Sequence, residues 1–189
     1  MITPHHLIYN SALARRFFPH WPTPAVLAGA LFPDIWVWLY FAWYSLVQHT
    51  PERLLWGDLY FKSGWNAIFC LAHSFWLLPL CAALSAWWRK PGLTGFFCSA
   101  LFHAVCDFSV HHSDAYRHFY PFSDWIFHSP VSYWERDFHG HLISMLEGLF
   151  SIVCLGYWLR QLSGRWQRLG LATLIGLDAL LLFSGLSHG

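Results

Sequence analysis

The chain has 189 residues, 56% of them hydrophobic and only 11% charged, where a soluble domain carries about 25% charged residues, and its formal net charge is +1. A charge so low and so balanced excludes the clustered basic surface that nucleic-acid binding needs. The apolar excess, with a positive mean hydropathy, argues against an ordinary soluble globule and for an all-α integral membrane bundle.

The first element in chain order is "PHHLIYNSALARRFF", residues 4–18, which is too short to cross a bilayer and has a mixed face. It is expected as an interfacial or partly buried helix. It lacks the order of a signal peptide, and no soluble domain follows Arg15-Arg16 for a twin-arginine signal to export.

A spanning helix needs about 20 mainly apolar residues. "TPAVLAGALFPDIWVWLYFAWYSLV" predicts a first span at about 24–48, interrupted only by Pro33 and Asp34. "SGWNAIFCLAHSFWLLPLCAALSAWW", free of Asp, Glu, Lys and Arg, predicts the second at 65–88. The third, at 93–112, contains His103 and Asp107; the fourth, at 141–160, contains Glu147; the fifth, at 169–187, contains Asp178. About five spans in one domain, 1–189, are expected, with a long connection at 113–140.

One set of connections holds Arg15, Arg16, Arg89, Lys90, Arg160, Arg165 and Arg168, and the other holds Arg53, Lys62, Arg117 and Arg136 diluted by acids. The first set, with the N-terminus, is expected to be cytoplasmic, in a bacterial inner membrane. The 113–140 connection then faces outward. The five cysteines fall in apolar runs without a CxxC pair and read as packed thiols.

Thirteen tryptophans suit membrane interfaces, but thirteen histidines have no such generic use. Taken as one helix, His103, Asp107, His111, Asp114 and His118 follow spacings of 4, 4, 3 and 4 and fall within about 80° of one another. His at i and Asp at i+4 can converge on one cation, as in other helical metal half-sites. For His118 the plain reading is a satisfied core residue beyond a bend. Ionisable groups inside a membrane are costly without partners, so His103 and Asp107 need some from other spans. Candidates are Asp34 beside Pro33, His73 in the second span and the His5-His6 pair. Glu147 and Asp178 each stand alone in a helix and read as carboxyls bonded to a nearby Trp or Ser.

The segments "TPHHL", "LFPDI", "AHS", "LFHAVCD" and "HFYPFSDW" together resemble the YdjM-type membrane-bound metal-dependent hydrolases over about residues 3–125. The resemblance implies His6, Asp34, His73, His103 and Asp107 as the polar set. The family's Arg-Gly before its THS is missing from "IFCLAHS", and Arg117 is the candidate to take its place.

The expected function is a metal-dependent hydrolase, with Zn²⁺ or a similar divalent ion held by Asp34, His73, His103 and Asp107. His6 is a fifth ligand or an orienter. Asp107 anchors the catalytic set, His111 and Asp114 shuttle protons at the mouth, and Arg117 grips an anionic head group of a lipid-like ester or phosphoester. Asp124, His128, Trp134, Glu135 and His139 of the outer connection form either a lid around that mouth or a plain interfacial loop. A transporter of metal ions or protons is the alternative, and would spread its polar groups across the full membrane depth. A haem-binding bundle is a third reading, which the carboxylates disfavour.

Overall fold

The computed structural model describes residues 1–161, 164–165, 169–170, 172–173 and 176. Helix α1 (Thr3–Phe17) starts with Pro4 in its first turn, where a missing N–H costs nothing, and ends on Arg15 and Arg16, whose charges suit the negative end of the helix dipole. Next, α2 (Thr23–Ala42) runs into a wider π-helical turn, Trp43–Val47. Two short turns, α3 (Glu52–Leu54) and α4 (Tyr60–Lys62), lead to α5 (Gly64–Ala72) and α6 (Leu77–Trp87). The long helices α7 (Pro91–Val110) and α8 (Gly140–Gln161) are separated by the outer connection. No strand occurs among the described residues.

Three helical stretches, Thr23–Val47, Pro91–Val110 and Gly140–Gln161, are long and apolar enough to cross a membrane, which marks the chain as a membrane protein. The expected second span is not one helix but α5 and α6, bent by 46°, and it makes a fourth crossing if the pair is taken together. Its break has a local cause. His73 leaves helical geometry (φ −105°, ψ 13°), and the Ser74 hydroxyl then accepts the free N–H groups of Trp76 and Leu77, both at 3.3 Å, to start the next helix. Irregular backbone at membrane depth is tolerated where it lines a site, and His73 belongs to one. The expected fifth span, 169–187, lies outside the described residues with Asp178 and Arg168.

α7 packs chiefly on α2 and α6, while α1 is wedged against α2, α7 and α8. Of the two positions expected for α1, the structure takes the buried one: His5, His6, Tyr9, Asn10 and Ser11 are all enclosed. The helix runs from a cleft shared with Tyr133 and Trp134 to a crevice shared with Trp21, Thr23 and Gln161. Met1 and the 113–140 connection therefore occupy the same end of the bundle. The sequence expectation set them on opposite sides; Met1 instead reaches Asp107 and His111 at the end of α7 from which the connection leaves, because α1 is buried within the bundle.

α2 and α7 touch where Gly29 faces Phe96: a Cβ on Gly29 would stand 2.1 Å from the Phe96 carbonyl oxygen. That approach lets His103 Nδ1 reach the Ala30 carbonyl at 2.7 Å. Gly29→Ala forces the helices apart, an overpacking cost of about 1–3 kcal/mol. The expected outcome is a lowered Tm in detergent, whereas Gly156→Ala, with open space around its Cβ, leaves the Tm unchanged or slightly raised.

Candidate metal centre

Asp34, His73, His103 and Asp107 come from α2, the α5–α6 break and α7, and each offers a ligand atom within 4.8 Å of the others, so together they can hold a metal ion. His73 and His103 are fully enclosed and Asp107 is 1% exposed. His103 Nε2 stands 3.1 Å from Asp107 Oδ2 and 3.4 Å from Asp34 Oδ1, and His73 Nε2 stands 3.3 Å from Asp107 Oδ2. Ligands about 2.0–2.1 Å from a tetrahedral ion are about 3.3 Å apart, the size of these separations.

Proton placement supports the same use. His73 Nδ1 donates to the Phe69 carbonyl at 2.8 Å and His103 Nδ1 to that of Ala30. A carbonyl only accepts, so each Nδ1 carries a proton and each ring turns its Nε2 toward the carboxylates, where a neutral ring would offer a lone pair to a cation. Both Nε2 atoms are buried without a hydrogen-bond partner. Two carboxylates enclosed beside two Nε2 atoms in a low-dielectric interior call for positive charge between them, which a metal ion bound by all four would supply.

The far oxygens of both carboxylates are tied down. Thr3 Oγ1 donates to Asp34 Oδ2 at 2.6 Å. Asp107 Oδ1 receives His6 Nε2 at 2.9 Å and the Met1 ammonium at 3.1 Å, with His111 Nε2 at 3.3 Å. His6 is thus outside the four-residue group: it holds Asp107 and stacks on the His103 ring at 3.5 Å. A carboxylate only accepts, so His6 Nε2 carries the proton that it gives to Asp107 Oδ1.

The expected five-residue stripe is corrected beyond His111. α7 ends at Val110 and His111 is extended, because the connection folds back: Ser129 N–H bonds the His111 carbonyl and Tyr133 N–H that of Val110. The fold-back still sets His111 Nδ1 3.0 Å from Asp114 Oδ2, and Trp134 Nε1 donates to the same oxygen at 3.1 Å. Burial pushes the Asp114 carboxyl up, but His111 and Trp134 outweigh it and leave it below the usual carboxylate range. His118 is a core residue, enclosed between the Phe75 and Phe108 rings.

Asp34, His111 and Asp114 border an open cleft of about 690 Å³ whose other walls are largely aromatic, including Trp38, Trp56, Tyr60 and Trp134. Arg117 does not border it. Its guanidinium donates to Asp124 at 2.6 Å and to Asn66 Oδ1 at 2.9 Å. Glu135 instead pins Ser113 through its backbone N–H and hydroxyl, and His128 Nδ1 donates to the His112 carbonyl, so the connection is stitched down beside the mouth. His139 takes a left-handed conformation just before α8. Glu147 lies 3.4 Å from His5 Nδ1, so its partner is an imidazole and not a Trp or Ser.

Sequence reasoning passed over Thr3 and Tyr116. The first sits in the quoted "TPHHL"; the second stacks on His73 at 4.0 Å, and nothing in its spacing marks it. No family model, curated protein or solved structure matches the chain.

Alanine at His103 or Asp107 is expected to abolish stoichiometric metal in elemental analysis of the purified protein, while Glu147→Gln retains it. His6→Ala and Thr3→Ala leave the ligands in place but unsupported. Each is expected to weaken metal affinity by about 10- to 100-fold in a competitive chelator titration.

Proposed function

We propose that the chain is a membrane-embedded hydrolase using zinc or a neighbouring first-row divalent ion, and that it cleaves a lipid-like ester or phosphoester. One observation carries this reading: the four-residue centre opens through Asp34 onto a cleft with a polar floor and aromatic walls. A divalent ion held by His73, His103, Asp34 and Asp107 supplies Lewis acidity and activates water near neutral pH. The residues around it have separable tasks. His6 and Thr3 fix the carboxylates. His111, between Asp107 and Asp114, accepts and passes on a proton at the edge of the cleft. Trp38 and Trp56, each about half exposed, give an acyl chain an apolar route in from the bilayer.

The Arg-rich end, where Arg15 borders the inner crevice with Gln161, is assigned to the cytoplasm of a bacterial inner membrane. The cleft then faces outward, with Met1 beside it.

Transport of a metal ion or protons is the second reading. It is favoured by Ser11, Ser151 and Glu147 Oε1, polar atoms buried without hydrogen-bond partners on α1 and α8, away from the metal centre. Turnover of a lipid panel by metal-loaded protein in proteoliposomes separates the two. Hydrolysis is expected to stop with a chelator and return with added metal. His111→Ala should retain metal and lose about 10²- to 10⁴-fold in kcat. If the loaded wild type cleaves nothing and instead moves Zn²⁺ or protons across the bilayer, transport replaces hydrolysis.

A further inference from the structure

Two histidines of the outer connection carry the same preparation as the imidazoles of the buried centre. His112, two residues past the end of α7, donates Nδ1–H to the Ser129 carbonyl at 2.6 Å, and His128 donates Nδ1–H to the His112 carbonyl at 2.8 Å. A carbonyl only accepts, so each Nδ1 carries a proton and Nε2 is the nitrogen that a neutral ring offers to a cation. The carbonyl bonds also fix the direction of each ring, as outer partners do for metal-binding histidines.

The two rings also stand at a distance that suits one ion. Their centres are 5.7 Å apart and their planes 55° from parallel, close to the 5.4 Å and 65° of His73 and His103. A metal–nitrogen bond of about 2.0–2.1 Å puts an ion roughly 3 Å from a ring centre, so two imidazoles on one ion have centres about 5–6 Å apart. Phe138 covers a face of the His112 ring at 3.4 Å and holds its plane. His128 is exposed and His112 half-buried, so an ion reaches the pair without any opening of the bundle.

We infer that His112 and His128 together bind a second, exchangeable divalent ion of the Zn²⁺ or Cu²⁺ kind through Nε2, with water in the remaining positions. Imidazole suits these ions. The neighbouring carboxylate of Glu135 is already held by Ser113, so the protein ligands are the two rings. They sit on opposite limbs of the connection: His112 follows α7, and His128 precedes Ser129, whose N–H bonds the His111 carbonyl. A shared ion therefore ties the limbs together where they close beside His111. With two protein ligands in place of four, this ion is lost on desalting while the buried one stays. The site shares no residue with the buried centre and does not rest on the hydrolase reading.

The experiment uses full-length, metal-loaded and desalted protein in detergent, with Zn²⁺ alone as the probe in equilibrium dialysis. The wild type is expected to take up one further ion per chain in the micromolar range. Asparagine at either position keeps a side-chain N–H near the place of Nδ1 and deletes Nε2, so the bonds to the carbonyls survive while the ligand is lost. His112→Asn and His128→Asn should each weaken the further ion by about tenfold or more, and the double variant no more than either single one, because one ion needs both rings. His20→Ala, at an exposed histidine, should change nothing. With Cu²⁺ in place of the further Zn²⁺, pulsed EPR should count two imidazoles. No further ion in the wild type, its retention by both asparagine variants, losses that simply add in the double variant, or a single imidazole on Cu²⁺ each overturns the inference. The result is a difference between chains that share the buried centre, so it stands or falls apart from lipid turnover.

Discussion

Asp107 is a carboxylate enclosed in an apolar bundle, and such a charge costs several kcal/mol unless donors or a cation meet it on every side. Much of the surrounding architecture meets that requirement. α1 is drawn into the bundle so that His6 and the Met1 ammonium reach Oδ1. The second crossing is broken at His73, whose ring then turns toward Oδ2. The outer connection is folded back onto the end of α7, closing over His111, which borders the same carboxylate.

The centre is preorganised by a division of labour within each side chain. One nitrogen of His73 and of His103 is committed to a backbone carbonyl, and one oxygen of Asp34 and of Asp107 is committed to a donor. The opposite atom of each is left free to converge with the others. Such outer partners fix tautomer and direction before any ion arrives, which lowers the reorganisation needed on binding. Gly29 contributes from a distance, since without its small profile α2 could not bring the Ala30 carbonyl within reach of His103.

The parts legible in the sequence were those governed by local periodicity and by the cost of intramembrane charge. The His103–Asp107 spacing survives because both lie inside α7, and Asp34 and His73 were conspicuous as polar residues in apolar runs. The rest depended on tertiary contacts. Asn10 on α1 looks like a surface residue in sequence, yet it is buried because Ser99 on α7 satisfies it. The His/Asp spacing carries the helical phase past Val110, where no Pro or Gly announces that the chain turns. Arg117, expected at the substrate in place of the missing Arg-Gly, is held instead by Asp124 and by Asn66, which lies 51 positions away and which no spacing rule relates to it.

The central claim is that one ion sits among two imidazoles and two carboxylates, with no thiolate, although Cys106 is next to Asp107 in the chain. X-ray absorption spectroscopy at the edge of the bound metal tests this most directly. The four-ligand centre predicts a first shell of nitrogen and oxygen only, with outer-shell scattering that fits two imidazole rings. A sulfur scatterer at about 2.3 Å, or an imidazole count other than two, would contradict it.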